Sequence, residues 1–358
     1  MRLVTTRGLK EGHELAKPIY NDKGRVLVQS HVKLTRPIIN RLLELGVTFV
    51  YVKDELSEDI VIHSTVSEQV KADSINTVKS LFHSFKDTGF KESSYLLDKT
   101  TQKMTSIVDT LINQIQSNDQ MLTLMSDIFI SDDYLFEHSV DVTIYTIALA
   151  NELKLSNDQI REIGLGALLH DIGKVFIPEG ILKKTSQLTA GEFETIKTHP
   201  ELGFEYLRKT DFPLLVAHCA YQHHERLNGS GYPRGLIGDE IHTYGKILAI
   251  ADVFSAVTSD RVYREAMLPQ EGLEILYAGS GTLFDQEMIR IFRDSITVYP
   301  NGVTVELNNG AHAIVVKQNN KLPNRPIVRV FSHHDQVVKP YDLDLAKELN
   351  LTVVGYKL

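Results

Sequence analysis

Hydrophobic positions recur with different spacings along the chain, and the changes divide it into parts. In residues 1–55, short apolar runs alternate with turn signals. Asn21-Asp22-Lys23-Gly24 predicts a turn, and residues 25–29 a strand after it. Thr35 and Pro37 predict the start of a short helix that Gly46 ends. The β-branched and aromatic run 47–52 predicts a second strand, and the acidic stretch 54–59 reads as a solvated linker. Between 65 and 128 the period becomes helical. Val66, Val70, Val78, Leu81, Phe82 and Phe85 share one face, and Met104, Ile107, Val108, Leu111, Ile112 and Ile115 another. Such faces serve core packing or a connector through which two chains form a homodimer.

Residues 130–295 continue the helical pattern, with capping boxes at Ser156/Gln159 and Thr189/Glu192 and helix starts at Pro200 and Pro213. Strand signals are nearly absent there. From 297 the period drops to two: Val303, Val305 and Leu307 alternate with polar residues, Asn308-Asn309-Gly310 predicts a hairpin turn, and 313–316 and 326–331 predict further strands. The expected architecture is mainly α. A small mixed α/β module (1–60) and a helical connector (61–129) precede an all-helical domain (130–295), and a small β module (296–358) follows.

Composition narrows the class. The chain has 358 residues, 42% hydrophobic and 23% charged, which excludes disordered, collagenous and coiled-coil proteins. A net charge of −8 argues against a chain-wide nucleic-acid surface, so no DNA partner is expected. It leaves room for a local basic pocket for a small phosphate ligand. A single cysteine, Cys219, excludes an intrachain disulfide and suits the cytoplasm. No signal peptide and no membrane span are expected.

Seven of the fourteen histidines lie between His138 and His242, several beside carboxylates. His170-Asp171 ends an apolar helical run and is followed by Gly173-Lys174. A buried carboxylate there needs a partner, and a divalent metal satisfies both side chains. Asp252 is the one charge in the apolar run 247–254, with the same requirement. His138 lies on an apolar helix, His199 precedes Pro200 at a helix boundary, and His223-His224 precede the Gly229-Ser230-Gly231-Tyr232-Pro233 break. Taken singly, each is equally a structural, capping or solvated histidine. Together they offer five imidazoles and two carboxylates, a donor set that suits a pair of first-row transition metals better than Mg²⁺ or Ca²⁺.

These segments resemble the HD-GYP family of the HD phosphohydrolase superfamily. His170-Asp171 with Gly173-Lys174, His199-Pro200, His223-His224-Glu225, Gly231-Tyr232-Pro233, and Asp252-Val253 followed by Thr258-Ser259, Arg261 and Tyr263-Arg264 carry the likeness, over about residues 130–290. The resemblance implies an all-helical metallophosphohydrolase domain that hydrolyses cyclic di-GMP to pGpG and onward to GMP. It implies the metal ligands His138, His170, Asp171, His199, His223, His224 and Asp252. Asp171 would bridge, with His138, His170 and Asp252 on one metal and His199, His223 and His224 on the other. A water held between the two would become hydroxide near neutral pH and could attack phosphorus in line. Fe or Mn is expected, with Zn, Co and Ni compatible. Asp171 and Lys174 are the expected catalytic residues, and Lys174, Tyr232, Arg261 and Arg264 the expected substrate contacts. The Gly231-Tyr232-Pro233 loop is also a candidate surface for a protein partner. Three positions depart from the family pattern: Tyr134 where some relatives carry a Glu for a third metal, Asn228 and Ser255 where Asp is common. Two metals are therefore expected. The substitutions at Asn228 and Ser255 motivate a second reading, a catalytically weak, cyclic di-GMP-responsive interaction protein, which the intact ligand set argues against; a third, an HD phosphohydrolase of another nucleotide, is disfavoured by the Gly231-Tyr232-Pro233 loop.

Overall fold

Short strands build two small sheets at the N-terminal end. In the computed structural model, residues 1–21, 25–62, 64–88, 94–118, 128–130, 134–184, 186–259, 266–319 and 322–357 are described. β1 (Arg2–Thr5) pairs antiparallel with β4 (Phe49–Val52). β2 (Ile19–Asn21) pairs antiparallel with β3 (Val26–Val28) and parallel with β5 (Ile128–Ile130), a strand that the helical pattern around it concealed. α1 (Arg36–Glu44) has Pro37 in its first turn, and Gly46 follows its end with φ +75°. The predicted turn at 21–24 falls largely outside the described residues.

Two long helices, α2 (Glu68–Thr88) and α3 (Ser94–Gln116), follow and bury the apolar faces seen in the sequence. They pack on α4 (Tyr134–Glu152), whose middle is buried on all sides. α5 (Asn157–Leu169) opens with the Ser156/Gln159 capping box and ends in a buried apolar turn at His170. Then come α6 (Glu179–Leu182), α7 (Ala190–Ile196, with the Thr189/Glu192 box), α8 (His199–Leu207), α9 (Leu214–Gln222), α10 (Thr243–Thr258), α11 (Pro269–Ala278) and α12 (Gln286–Ser295). α4, α5, α9 and α10 pack side by side, so that residues far apart in sequence meet at their ends. Among the described residues no helix is long and apolar enough to cross a membrane.

The C-terminal strands β6 (Thr304–Leu307), β7 (Ala311–Lys317), β8 (Ile327–His333), β9 (Gln336–Asp344) and β10 (Val353–Tyr356) form one antiparallel sheet in the order β10-β6-β7-β8-β9. Its apolar face joins the core of the helices. β9 is mostly exposed and carries too little apolar alternation to be legible in the sequence.

The acidic stretch 54–59 is not a free linker. Asp54 takes the Arg2 guanidinium at 3.0 Å and caps the 3₁₀ turn Glu55–Ser57. Asp59 pairs with Arg329 of β8 at 2.6 Å, while Leu3 N–H donates to Gly302 O. The two ends of the chain are thus fastened together beside the helices.

Candidate metal centre

Helix ends create this site. The last carbonyls of a helix lack intrahelical partners, and three histidines use such carbonyls. His170 Nδ1 donates to Ala167 O at 2.7 Å, His199 Nδ1 to Ile196 O at 2.7 Å, and His223 Nδ1 to Ala220 O at 2.8 Å. A carbonyl only accepts, so each Nδ1 carries the proton and each Nε2 presents a lone pair inward. His138 reaches the same space from α4, its Nδ1 3.0 Å from Ser255 Oγ on α10 and its Nε2 3.0 Å from Asp252 Oδ1.

Asp171 lies at the middle, fully buried at the start of the 3₁₀ turn Ile172–Phe176. Its Oδ1 is 3.2 Å from His199 Nε2 and 3.8 Å from His223 Nε2; its Oδ2 is 3.4 Å from His170 Nε2 and 2.6 Å from Lys174 Nζ. Asp252 Oδ1 is 3.9 Å from His170 Nε2, and its Oδ2 is 3.6 Å from His224 Nδ1. Ligand atoms fall within 4.8 Å of one another in three overlapping sets: His138, His170 and Asp252; His199, His223 and His224; and His170, Asp171 and His223. All seven side chains expected from the sequence therefore converge, with Asp171 between the two outer sets.

Charge at this point is set by burial and by neighbouring charges acting against it. Asp171 is held well below the usual carboxylate range: burial opposes this, but Lys174, His170 and His199 outweigh it. Asp252 is likewise held low against burial, by His138 and His224. Burial pushes His138, His223 and His224 down, and like charge from neighbouring imidazoles adds to this for each. His170 alone moves up, because Asp171 and Asp252 overcome its burial. Two ionised carboxylates thus face mostly neutral imidazoles. His170 Nε2 and Asp171 Oδ1 make no hydrogen bond among the described residues, although both are buried. Buried polar atoms without partners are costly, and metal ions coordinated by these donors would satisfy them. Nitrogen-rich donors with carboxylates fit transition metals, and the overlapping sets offer room for two.

Close approach of two backbones fixes the shape. A Cβ at Gly173 would lie 1.9 Å from His199 O, so only glycine lets the turn bearing Lys174 lie against α8. The loop after α9 is held by Glu225, a motif residue given no role in the sequence reading. Its buried carboxylate accepts from Arg234 N–H at 2.8 Å and Leu236 N–H at 2.9 Å. Tyr232 then sits with its ring 4.6 Å from the His224 ring at 33°.

The departures from the family pattern now have structural roles. Asn228 Oδ1 accepts from Ser230 N–H and Ser230 Oγ at 3.0 and 2.7 Å, closing the turn as a carboxylate would. Ser255 Oγ meets His138 Nδ1, the ring nitrogen that faces away from Asp252, and so fixes the ring's orientation. Tyr134 opens α4. Arg261 and Arg264 lie outside the described residues. Sequence reasoning missed Ser255 as a partner of His138, and also the buried Lys71 of α2, which pairs with Asp141 at 2.8 Å and Glu137 at 3.7 Å on either side of His138. A lone lysine on an apolar helix face was the available signal.

Comparison with known proteins agrees with this geometry. Residues 97–288, more than half of the chain, match the family described as HD domain, and residues 304–356 match the KOW domain associated with HD domain. The chain is 34% identical over 232 residues to a cyclic di-GMP phosphodiesterase of Pseudomonas aeruginosa, covering 64% of this chain and 56% of that one. It is 43% identical over 143 residues to the cyclic di-GMP phosphodiesterase response regulator RpfG of Xanthomonas campestris, covering 39% and 38%. The matched part is thus well under two thirds of either relative. A solved HD-GYP-type protein of Bdellovibrio bacteriovorus, 18% identical, superposes with a TM-score of 0.53 over 82% of this chain and 98% of that one, a likeness of fold. With the matched segment and the helical fold around seven converging side chains, the chain belongs to the HD domain family.

Proposed function

We propose that this chain is a metal-dependent phosphodiesterase that hydrolyses cyclic di-GMP to pGpG, and onward to GMP. One observation carries the reading: imidazole nitrogens and carboxylates from separate helical segments face one another around the buried Asp171, and His170 Nε2 and Asp171 Oδ1 are left there without hydrogen-bond partners among the described residues. The substrate is taken from the names of the relatives. Of the expected ligands, His138, His170 and Asp252 would hold one ion and His199, His223 and His224 the other, with Asp171 between the two sets. Fe or Mn fits this donor set, with Zn, Co and Ni compatible. When bound, such a pair lowers the pKa of a water and stabilises charge on a phosphoryl group.

The chain's own residues do the rest. The Nδ1 hydrogen bonds hold each ring so that no reorganisation is needed at the moment of reaction. Lys174, paired with Asp171 and partly open to solvent, offers a donor to a phosphate oxygen at the rim. Tyr232 walls the mouth above His224. Arg261 and Arg264, expected from the motif as substrate phosphate contacts, belong to the same reading. The buried Cys219 suits a reducing cytoplasm. The division into an N-terminal module (1–60), connector (61–129), catalytic domain (130–295) and β module (296–358) belongs to the same reading.

Protein prepared without oxygen and loaded with Fe²⁺ or Mn²⁺ is expected to convert cyclic di-GMP to pGpG, and Asp171→Ala to abolish this. Metal-loaded protein that binds the nucleotide and never cleaves it would favour the interaction-protein reading. Preference for a cyclic dinucleotide containing adenine would move the assignment to another nucleotide.

A further inference from the structure

The substrate-facing side chains extend beyond the positions that the motifs mark. α7 leads directly into His199, and its outer face carries Phe193, an aromatic ring 50% exposed. Scattered exposed apolar residues are ordinary on a protein surface, but this one is not isolated. Lys197 Nζ lies 5.9 Å from the Phe193 ring centroid and 5.4 Å from that of Tyr232, and Tyr232 in turn lies 4.6 Å from the ligand ring of His224. A row of flat rings and one ammonium group therefore runs outward from the metal centre to solvent, each member within 6 Å of the next. The ammonium is tethered to the exposed Glu194 at 3.0 Å, which keeps it at the surface over the two rings.

We propose that Phe193 and Lys197 form a recognition platform for a purine base of the substrate, the base next to the phosphate held at the metal centre. The proposal rests on the functional reading above and adds residues to it. A cyclic dinucleotide held by one phosphate at Asp171 must direct a base away from the buried ligands, because His170, Asp171, His199 and His223 leave no accessible surface beneath them. The row from Tyr232 past Lys197 ends at the half-exposed Phe193 and so leads from the His224 ring to solvent. Bases stack on exposed aromatic rings regardless of the hydrogen bonds they make. A cation over the ring faces adds attraction for the electron-rich purine carbonyl and for the second phosphate. The helix bearing the platform is anchored by the Thr189/Glu192 capping box and by Lys184, which pairs with Glu192 at 2.6 Å, so the two side chains start from a fixed backbone.

The test compares two diesters with the full-length, Mn-loaded chain: cyclic di-GMP, and bis(p-nitrophenyl) phosphate, which has no purine. Phe193→Ala is expected to lower the ratio of kcat/KM for cyclic di-GMP to that for the small diester at least tenfold, mainly through KM, and Phe193→Tyr to restore it. Lys197→Met is expected to lower the same ratio and weaken its dependence on salt. Both positions are on the surface, so folding does not obscure the result. A ratio unchanged within twofold in Phe193→Ala and Lys197→Met, with wild-type protein cleaving both diesters, overturns the platform and leaves the functional reading intact. Wild-type protein that cleaves neither diester overturns the functional reading, and the platform falls with it.

Discussion

His199 Nε2 stands 3.2 Å from His223 Nε2, while each ring gives its other nitrogen's proton to a helix-end carbonyl. Two lone pairs therefore point at each other in a buried space, and that contact is repulsive unless a cation lies between them. A proton is a poor candidate, since burial pushes His223 well below its ordinary value. A metal ion resolves the contact. Removing metal with a chelator is thus expected to lower the thermal midpoint, and restoring Mn²⁺ to raise it. At a hundredfold excess over Kd the gain is about 2.7 kcal/mol for one site. Calorimetry of the stripped and reloaded chain measures this; identical midpoints would contradict it.

Ser255 orients His138 through a 3.0 Å contact at Nδ1. Losing such an outer partner typically costs about 10–100-fold in metal affinity. Ser255→Ala is expected to weaken one ion of the pair by that factor and leave the other nearly as before. Metal titration of the stripped variant would show one transition shifted; two unshifted transitions would remove Ser255 from the site.

Glu225 holds the loop that carries Tyr232 by two backbone hydrogen bonds. Glu225→Ala leaves the buried Leu236 N–H unpaired, at a cost of about 1–3 kcal/mol, and the partly buried Arg234 N–H without its acceptor. Activity toward the cyclic dinucleotide is expected to fall more than tenfold while metal content changes little. Elemental analysis beside steady-state kinetics separates the two; equal loss of both would place Glu225 among the metal supports instead.

Lys71 ties α2 to α4 beside His138. Breaking a buried ion pair by removing one partner costs about 3–5 kcal/mol. Lys71→Met is expected to destabilise by that order in urea unfolding, and the double variant Lys71→Met with Asp141→Leu by less. Additive losses would show that the pair is not coupled.

Glu192 has its carboxyl lowered to about 2, chiefly by Lys184 and then by the Thr189 backbone. A depressed acid favours the folded form above its ordinary value near 4.5 and loses that contribution as pH falls toward 2. α7 is therefore expected to keep its amide protection unchanged from pH 8 to 5, and to show lower protection across that range in Glu192→Gln, which keeps the cap but loses the charge that pairs with Lys184. Protection that declines between pH 8 and 5 in the native chain would contradict this assignment.

Much of this molecule was legible in the residue pattern, and the reason differs by element. Capping boxes at Ser156 and Thr189 are local, so spacing alone reveals them. The buried charges Asp171 and Asp252 were legible because apolar neighbours left them no water. What escaped depends on tertiary meetings: the 128–130 strand exists through its pairing with β2, and Lys71 finds Asp141 only when α2 lies on α4. Ser255 looked like a defect because its partner, His138, is 117 positions away in sequence.

The most direct test is the metal content of chain prepared without oxygen, measured together with cyclic di-GMP turnover. The account predicts two ions per chain, loss of both ions and of turnover in Asp171→Ala, and return of turnover when the stripped wild type is reloaded. Full turnover in rigorously metal-free protein, or an Asp171→Ala chain that keeps two ions and full activity, would contradict it.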